Sequence, residues 1–247
     1  DGKHFPDRTS NTEFAKKAFD LINSIRSLTL ESIKEGTVSR RPKPPFTTDT
    51  MLQTSSSTLG WSISKTSKIA STLYQSGHIT YIRTDSTRTN AKARNEVRKY
   101  IESNFGQDFL GDGVGEIQKT KENVQDAHEA IRPTNPAVEV AGDDRDEKAL
   151  YRLIWSRFAS SQMSNSIRER RSLTFSCVGL DVPLNGTSTW RTHAGWEEVF
   201  AWSYKDVQTQ APNIGFIAGS KWDIDEDAEL TIDFTKPPRR FTESSII

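Results

Sequence analysis

Three stretches between Ser62 and Ser166 repeat their apolar residues at helical spacing and form one helical block, with strand-like patterns standing before and after it. In "SKTSKIASTLYQSG" the stripe is Ile69, Ala70, Leu73 and Tyr74, closed by Gly77, a natural left-handed stop. "NAKARNEVRKYIESNFG" places Ala93, Val97, Tyr100, Ile101 and Phe105 inside and stops at Gly106. "DEKALYRLIWSRFASSQM" lines up Leu150, Leu153, Ile154, Arg157 and Phe158. Helices in one block with strand patterns before and after it restrict the chain to the α+β class. The reading is a helical unit, 61–166, inserted between two pieces of a β-rich unit, 1–60 and 167–247. Those two pieces must then meet in space. A length of 247 residues suits two domains of ordinary size.

Outside the helical block, "SNTEFAKKAFDLINSI" predicts one more helix. Ser10 and Glu13 are spaced as a capping box, and Phe14, Ala18, Leu21, Ile22 and Ile25 share a face. A strand is expected at "LTLES", then an exposed linker at "SRRPKPPFTT", where three prolines exclude regular helix. Beyond residue 167, "RRSLTFSCVGL", "TSTWRTHAG" and "AELTIDF" read as strands, with turns at "LNG" and "IAGS". The single cysteine, Cys177, lies in the first of these as a small core residue and excludes an internal disulfide or a cysteine-cluster metal site.

Lys plus Arg and Asp plus Glu each number 33, so no global field draws the chain to a polyanion, and any such site must be local. No apolar run approaches the ~20 residues of a membrane span. "DGKHFPDRTS" has neither an initiator Met nor the apolar core of a signal peptide, and it reads as the start of an excised piece.

"ITYIRTDST", residues 79–87, holds a tyrosine, an arginine, an aspartate and several hydroxyl side chains where a core would want apolar ones. In an extended segment the period of two puts Tyr81, Arg83 and Asp85 on one side. A phenol with a pKa near ~10 is a poor nucleophile unless its anion is stabilised. A neighbouring guanidinium supplies that stabilisation and can also grip a phosphate in two prongs. The plainer alternative is a solvated strand anchored by Ile79 and Ile82. A second phrase, "KENVQDAHEAIRPTNP" at 121–136, adds His128, which can donate to a phosphate oxygen near neutral pH.

"PPFTTDTMLQ", "LYQSGHITYIRTDST", "AHEAIRPT" and "FTKPPRRFTESSII", in this order and spacing, resemble the central part of type IA DNA topoisomerases, including bacterial topoisomerase I and, more loosely, reverse gyrase. The resemblance runs from about residue 12 to the C-terminus and leaves the choice between those branches open. It implies a helical domain with a helix-turn-helix-like core that carries the tyrosine, inserted in a β-rich arch. It implies that Tyr81 attacks a phosphodiester of single-stranded DNA and becomes joined to the 5′ phosphate, so that negative supercoils are relaxed. Arg83 would bind the scissile phosphate, His128 would contact it, and Asp85 would orient one of them. Arg132 is a supporting candidate that can equally pack under the loop.

The same resemblance assigns magnesium to an N-terminal Toprim domain, with none bound by this chain. The partners it implies are single-stranded DNA, the Toprim domain and a further DNA-binding domain, with no membrane. The location it implies is cytoplasmic and nucleoid-associated. The isolated chain is therefore expected not to relax DNA, and two other readings stay open: a non-catalytic single-strand-binding or docking module, and one subunit of a split enzyme. "DIDED", 223–227, reads as a solvated acidic turn. Arg88, Asn90, Lys92 and Arg94, with Arg98 and Lys99 beyond them, can contact a DNA backbone or simply form a solvated helix face. Two further basic groups, Arg40, Arg41 and Lys43, and Arg168, Arg170 and Arg171, read as linker and strand-edge charges. Trp190, Trp196 and Trp202 read as β-core.

Overall fold

A computed structural model describes residues 9–114, 128–203, 207–212, 215, 217–224, 229–234, 236–238 and 240–246. The chain forms two compact units of mixed helix and strand. One is β-rich and comprises Asp1–Val38, Arg168–Thr192 and Gln208–Pro238; the other is helical and comprises Ser39–Ile167, His193–Val207 and Arg239–Ile247.

The β-rich unit opens with α1 (Thr12–Ser24) and continues through β1 (Ser27–Arg40). Two later strands, β2 (Ser166–Cys177) and β3 (Leu180–His193), are joined at Val178–Gly179, where Gly179 takes φ 93°. The last, β4 (Lys221–Asp223), is antiparallel to β1 with Leu28 opposite Trp222, and the curled sheet runs β3-β2-β1-β4. Leu30 and Ile25 are its buried anchors, and Arg171 joins Glu35 at 2.9 Å while covering the Trp190 ring at 5.3 Å.

Asn11, not Ser10, caps α1, because its side chain is the one that accepts from Phe14 N. The α1 stripe is real, yet Phe14, Leu21 and Ile22 stay exposed and only Ile25, just past the helix, is buried. "LNG" lies inside β3 rather than at a turn, whereas "IAGS" does turn, at Ala218–Gly219. "AELTIDF" forms no strand within its described residues and leaves Ile232 and Phe234 exposed. Cys177 is half-buried at the end of β2, and desolvation raises its thiol pKa. Within "DIDED", Asp223 ends β4, and Asp225, Glu226 and Asp227 lie outside the described residues.

In the helical unit, α2 (Thr48–Leu59) and α3 (Ile63–Gln75) meet at Gly60, whose φ of 69° makes the helix-turn-helix corner. Next come α4 (Ala91–Phe105) and α5 (Arg145–Ser160). The boundary expected at residue 60 falls near 38, because α2 belongs to this unit. Its sequence, rich in Ser and Thr, has weak intrinsic helicity. It is held by a capping box between Thr47 and Thr50 and by burial of Met51, Leu52 and Ser55.

The unit closes around α5, which buries Leu150, Leu153, Ile154, Trp155 and Phe158. Trp155 donates its indole N–H to Pro136 O at 2.9 Å, and Tyr151 donates to Val138 O at 2.8 Å. Burial pushes the Tyr151 phenol up to about 12. These bonds tie the chain that follows "AHEAIRPT" to the core. Trp196 is not β-core: it stands in the 3-10 segment Gly195–Ser203 and donates to Arg40 O at 2.9 Å.

Candidate active site

The tyrosine segment is positioned by its neighbours on both sides. Past α3 the chain reverses at Gly77, φ 75°, where His78 N donates to Leu73 O and Gly77 N to Tyr74 O. Residues 78–80 then run beside the "AIRPT" segment. Thr80 N donates to Arg132 O at 2.9 Å, Thr134 N to His78 O at 3.0 Å, and Ile79 bridges Pro133. The Thr80 hydroxyl adds a bond to Ala130 O at 2.7 Å. This short pairing joins the two separate sequence phrases and brings the Tyr81 and His128 rings to 5.7 Å.

Downstream, Thr48 at the start of α2 replaces a strand partner. Its hydroxyl donates to Ile82 O at 2.7 Å and accepts from Thr84 N at 2.9 Å, while its own N–H donates to Thr84 O at 2.9 Å. Thr84, Ser86 and Thr89 are buried, and Ser86 N donates to the Thr84 hydroxyl at 3.0 Å. The hydroxyl residues thus face inward to satisfy an irregular backbone, which is why this stretch can dispense with apolar side chains. Tyr81, Arg83 and Asp85 share the other side, as the period of two puts them, and that side is exposed. Thr48→Val should cost about 1–3 kcal/mol in urea unfolding, because it leaves Thr84 N without its acceptor. A change below a few tenths would mean that Thr48 does not hold the loop.

Arg83 and Asp85 have no hydrogen-bond or ion-pair partner among the described residues. His128 is likewise exposed. The opposite holds for Arg132, which is 7% exposed. Its guanidinium joins Glu129 at 2.6 Å and donates to Pro133 O at 2.9 Å, so it packs under the loop. Glu129 also accepts from the Asn90 amide at 2.8 Å, and Asn90 caps α4 by accepting from Ala93 N at 2.8 Å. Asn90, Glu129 and Arg132 therefore brace the residue next to His128 against a helix start.

The remaining basic candidates are placed in different ways. Arg88 is half-buried, with its carbonyl accepting from Ala130 N at 2.7 Å, and Arg94 donates to Thr89 O. Lys92 is exposed, 4.0 Å from Glu96 on the next turn. Among the described residues, no group of three or more His, Cys, Asp and Glu side chains is placed to hold a metal ion. No local sequence pattern marks Thr48 or Glu129 as site supports, and the helical stripe places Tyr74 with the core. Tyr74 instead is exposed, with its ring 5.3 Å from that of Tyr81.

The whole chain, residues 1–247, matches the family model described as DNA topoisomerase. It is 34% identical to DNA topoisomerase 1 of Haemophilus influenzae, covering 100% of this chain and 28% of that protein. For DNA topoisomerase 1 of Escherichia coli the identity is 36%, covering 98% and 28%. The solved full-length topoisomerase I of Thermotoga maritima superposes with a TM-score of 0.68 at 30% identity, covering 90% of this chain and 36% of that one. The chain belongs to the DNA topoisomerase family. Within it, the similarity is to type IA enzymes, the topoisomerase I group, and the chain spans about 28% of the length of those bacterial relatives.

Proposed function

We propose that this chain carries the strand-cleaving face of a type IA topoisomerase. The Tyr81 oxygen attacks the phosphorus of a single-stranded DNA phosphodiester, the bond from phosphorus to the 3′ oxygen breaks, and a 5′-phosphotyrosyl diester and a free 3′ hydroxyl result. The phosphodiester bond is exchanged rather than hydrolysed, so the 3′ hydroxyl reverses the step without nucleotide. Arg83 grips the non-bridging oxygens and favours the phenolate. His128, beside the Tyr81 ring, donates to the phosphate or to the departing oxygen. Asp85 shares the exposed face and orients the groups on it. Supporting this reading is one observation: an exposed tyrosine on a loop pinned from both sides, with Arg83 and His128 likewise exposed beside it.

Relaxation of negatively supercoiled DNA is assigned to the enzyme of full family length, in which a Toprim domain would hold magnesium and the ion would supply charge neutralisation. The partners are single-stranded DNA and those further domains, and the location is the bacterial cytoplasm. No described helix is long and apolar enough to cross a membrane. The pure 247-residue chain is expected to bind a single-stranded oligonucleotide weakly and to relax no plasmid. A few phosphate contacts carry such binding, so affinity should fall roughly tenfold or more between 50 and 200 mM salt. Fluorescence anisotropy and a plasmid relaxation gel check both points. Salt-independent binding or magnesium-dependent relaxation by the chain alone would contradict the assignment.

A further inference from the structure

An exposed tyrosine ring ordinarily exchanges rotamers within nanoseconds, whereas a nucleophile must meet its phosphorus in line. Tyr81 is 38% exposed and therefore needs something to hold its ring. Two rings do so. His128 lies against it at 5.7 Å with an interplanar angle of 32°, and Tyr74 meets it edge to face at 5.3 Å and 65°. An edge-to-face pair at this separation is the favoured aromatic geometry.

The two supports differ in rigidity. His128 stands just outside a short pairing, but Tyr74 belongs to the last turn of α3, whose end is locked. Its carbonyl accepts from Gly77 N at 2.9 Å and also from Ser76 N, and the Leu73 carbonyl accepts from His78 N at 2.9 Å. Leu73, the adjacent residue, is fully buried. The backbone reversal at Gly77 then brings Tyr81 back alongside the ring seven residues before it. The Tyr74 hydroxyl has no hydrogen bond among the described residues.

We propose that Tyr74 is a positioning residue for Tyr81: its ring edge, carried on the locked end of α3, fixes the rotamer that presents the Tyr81 oxygen to the scissile phosphate. The contact stands on geometry alone, and only its catalytic consequence rests on the function proposed above. The ring does this work rather than the hydroxyl, so phenylalanine serves at position 74 and alanine does not.

The test has two arms. In the first, the 247-residue chain is made with ring-13C tyrosine, and the Tyr81 signals are assigned by their loss in Tyr81→Phe. Tyr74→Ala should move the Tyr81 ring shifts toward unstructured values and raise ring mobility, while Tyr74→Phe keeps both near the parent. In the second, the same substitutions enter an enzyme of full family length and single-turnover cleavage of single-stranded DNA is followed. Tyr74→Ala should lower the cleavage rate roughly tenfold or more with DNA affinity within about twofold, as misplacement of a reacting atom requires. Tyr74→Phe should restore it. The proposal is overturned if Tyr74→Ala leaves the Tyr81 signals or the cleavage rate unchanged, or if Tyr74→Phe is as impaired as Tyr74→Ala. Affinity falling in step with rate would overturn it as well, since that marks a DNA contact instead. Cleavage surviving in Tyr81→Phe would remove the proposed nucleophile, and the first arm would still decide whether Tyr74 orders that ring.

Discussion

Tyr81→Phe should abolish the covalent protein–DNA adduct in an enzyme of full family length, with fold and single-strand affinity almost unchanged. The phenol oxygen has no hydrogen bond to any described residue, so its removal leaves no buried partner unsatisfied. A phenylalanine ring keeps the contacts to Tyr74 and His128, because both are made by the ring. Stability should therefore stay within about 0.5 kcal/mol of the parent, the range of an exposed substitution. Only the attacking atom is lost, and no neighbouring phenol replaces it: Tyr74 is turned edge-on to Tyr81 rather than stacked in its place. A thermal melt, an anisotropy titration and a denaturant-trapped cleavage reaction separate these effects. Residual adduct in Tyr81→Phe would reject the assignment.

Arg83→Lys should lower single-turnover cleavage by roughly a hundredfold while weakening DNA binding only a few-fold. The substitution keeps the charge, so the long-range part of phosphate attraction survives. What it removes is the planar fork that engages two phosphate oxygens at once, a gain realised mainly as charge builds in the transition state. Arg83 is exposed and unengaged by described residues, so no structural loss should obscure the result. Equal losses in binding and cleavage would instead make Arg83 a simple ground-state anchor.

The three helices of the central block were legible because their apolar period is strong: Leu73, Val97, Ile101, Ile154 and Phe158 are buried where the stripes put them. Helix α2 was not, since Thr and Ser dominate it and its stability comes from a cap and from tertiary burial of Met51 and Leu52. "AELTIDF" shows the converse error: alternation describes a strand's faces but supplies no partner for its edges.

The site was legible as two phrases, and the placement of Tyr81, Arg83 and Asp85 on one common side follows from the period of two. Their supports were not. Thr48 reaches the tyrosine loop across 34 positions, and Thr80 reaches Ala130 across 50, through hydrogen bonds that no local pattern encodes. Tyr74 misled for a related reason. Its position in the helical stripe is correct, but α3 ends there, and the ring emerges at the rim instead of entering the core. Asn90 could be named from sequence as a DNA candidate and Arg132 as a support that packs under the loop, but their shared partner, Glu129, could not. A polar side chain's partner is a property of the fold.

The central claim is that Tyr81 becomes joined to the 5′ phosphate of the cleaved strand. Its most direct test is a cleavage reaction on one single strand labelled at either end, trapped with denaturant and followed by mass spectrometry of the nucleotide-bearing peptide. Protein-linked label is expected only from the 3′-labelled strand, whose downstream fragment carries the 5′ phosphate, with a nucleotide on the peptide containing Tyr81. Label retained from the 5′-labelled strand, or a nucleotide on any residue other than Tyr81, would contradict it.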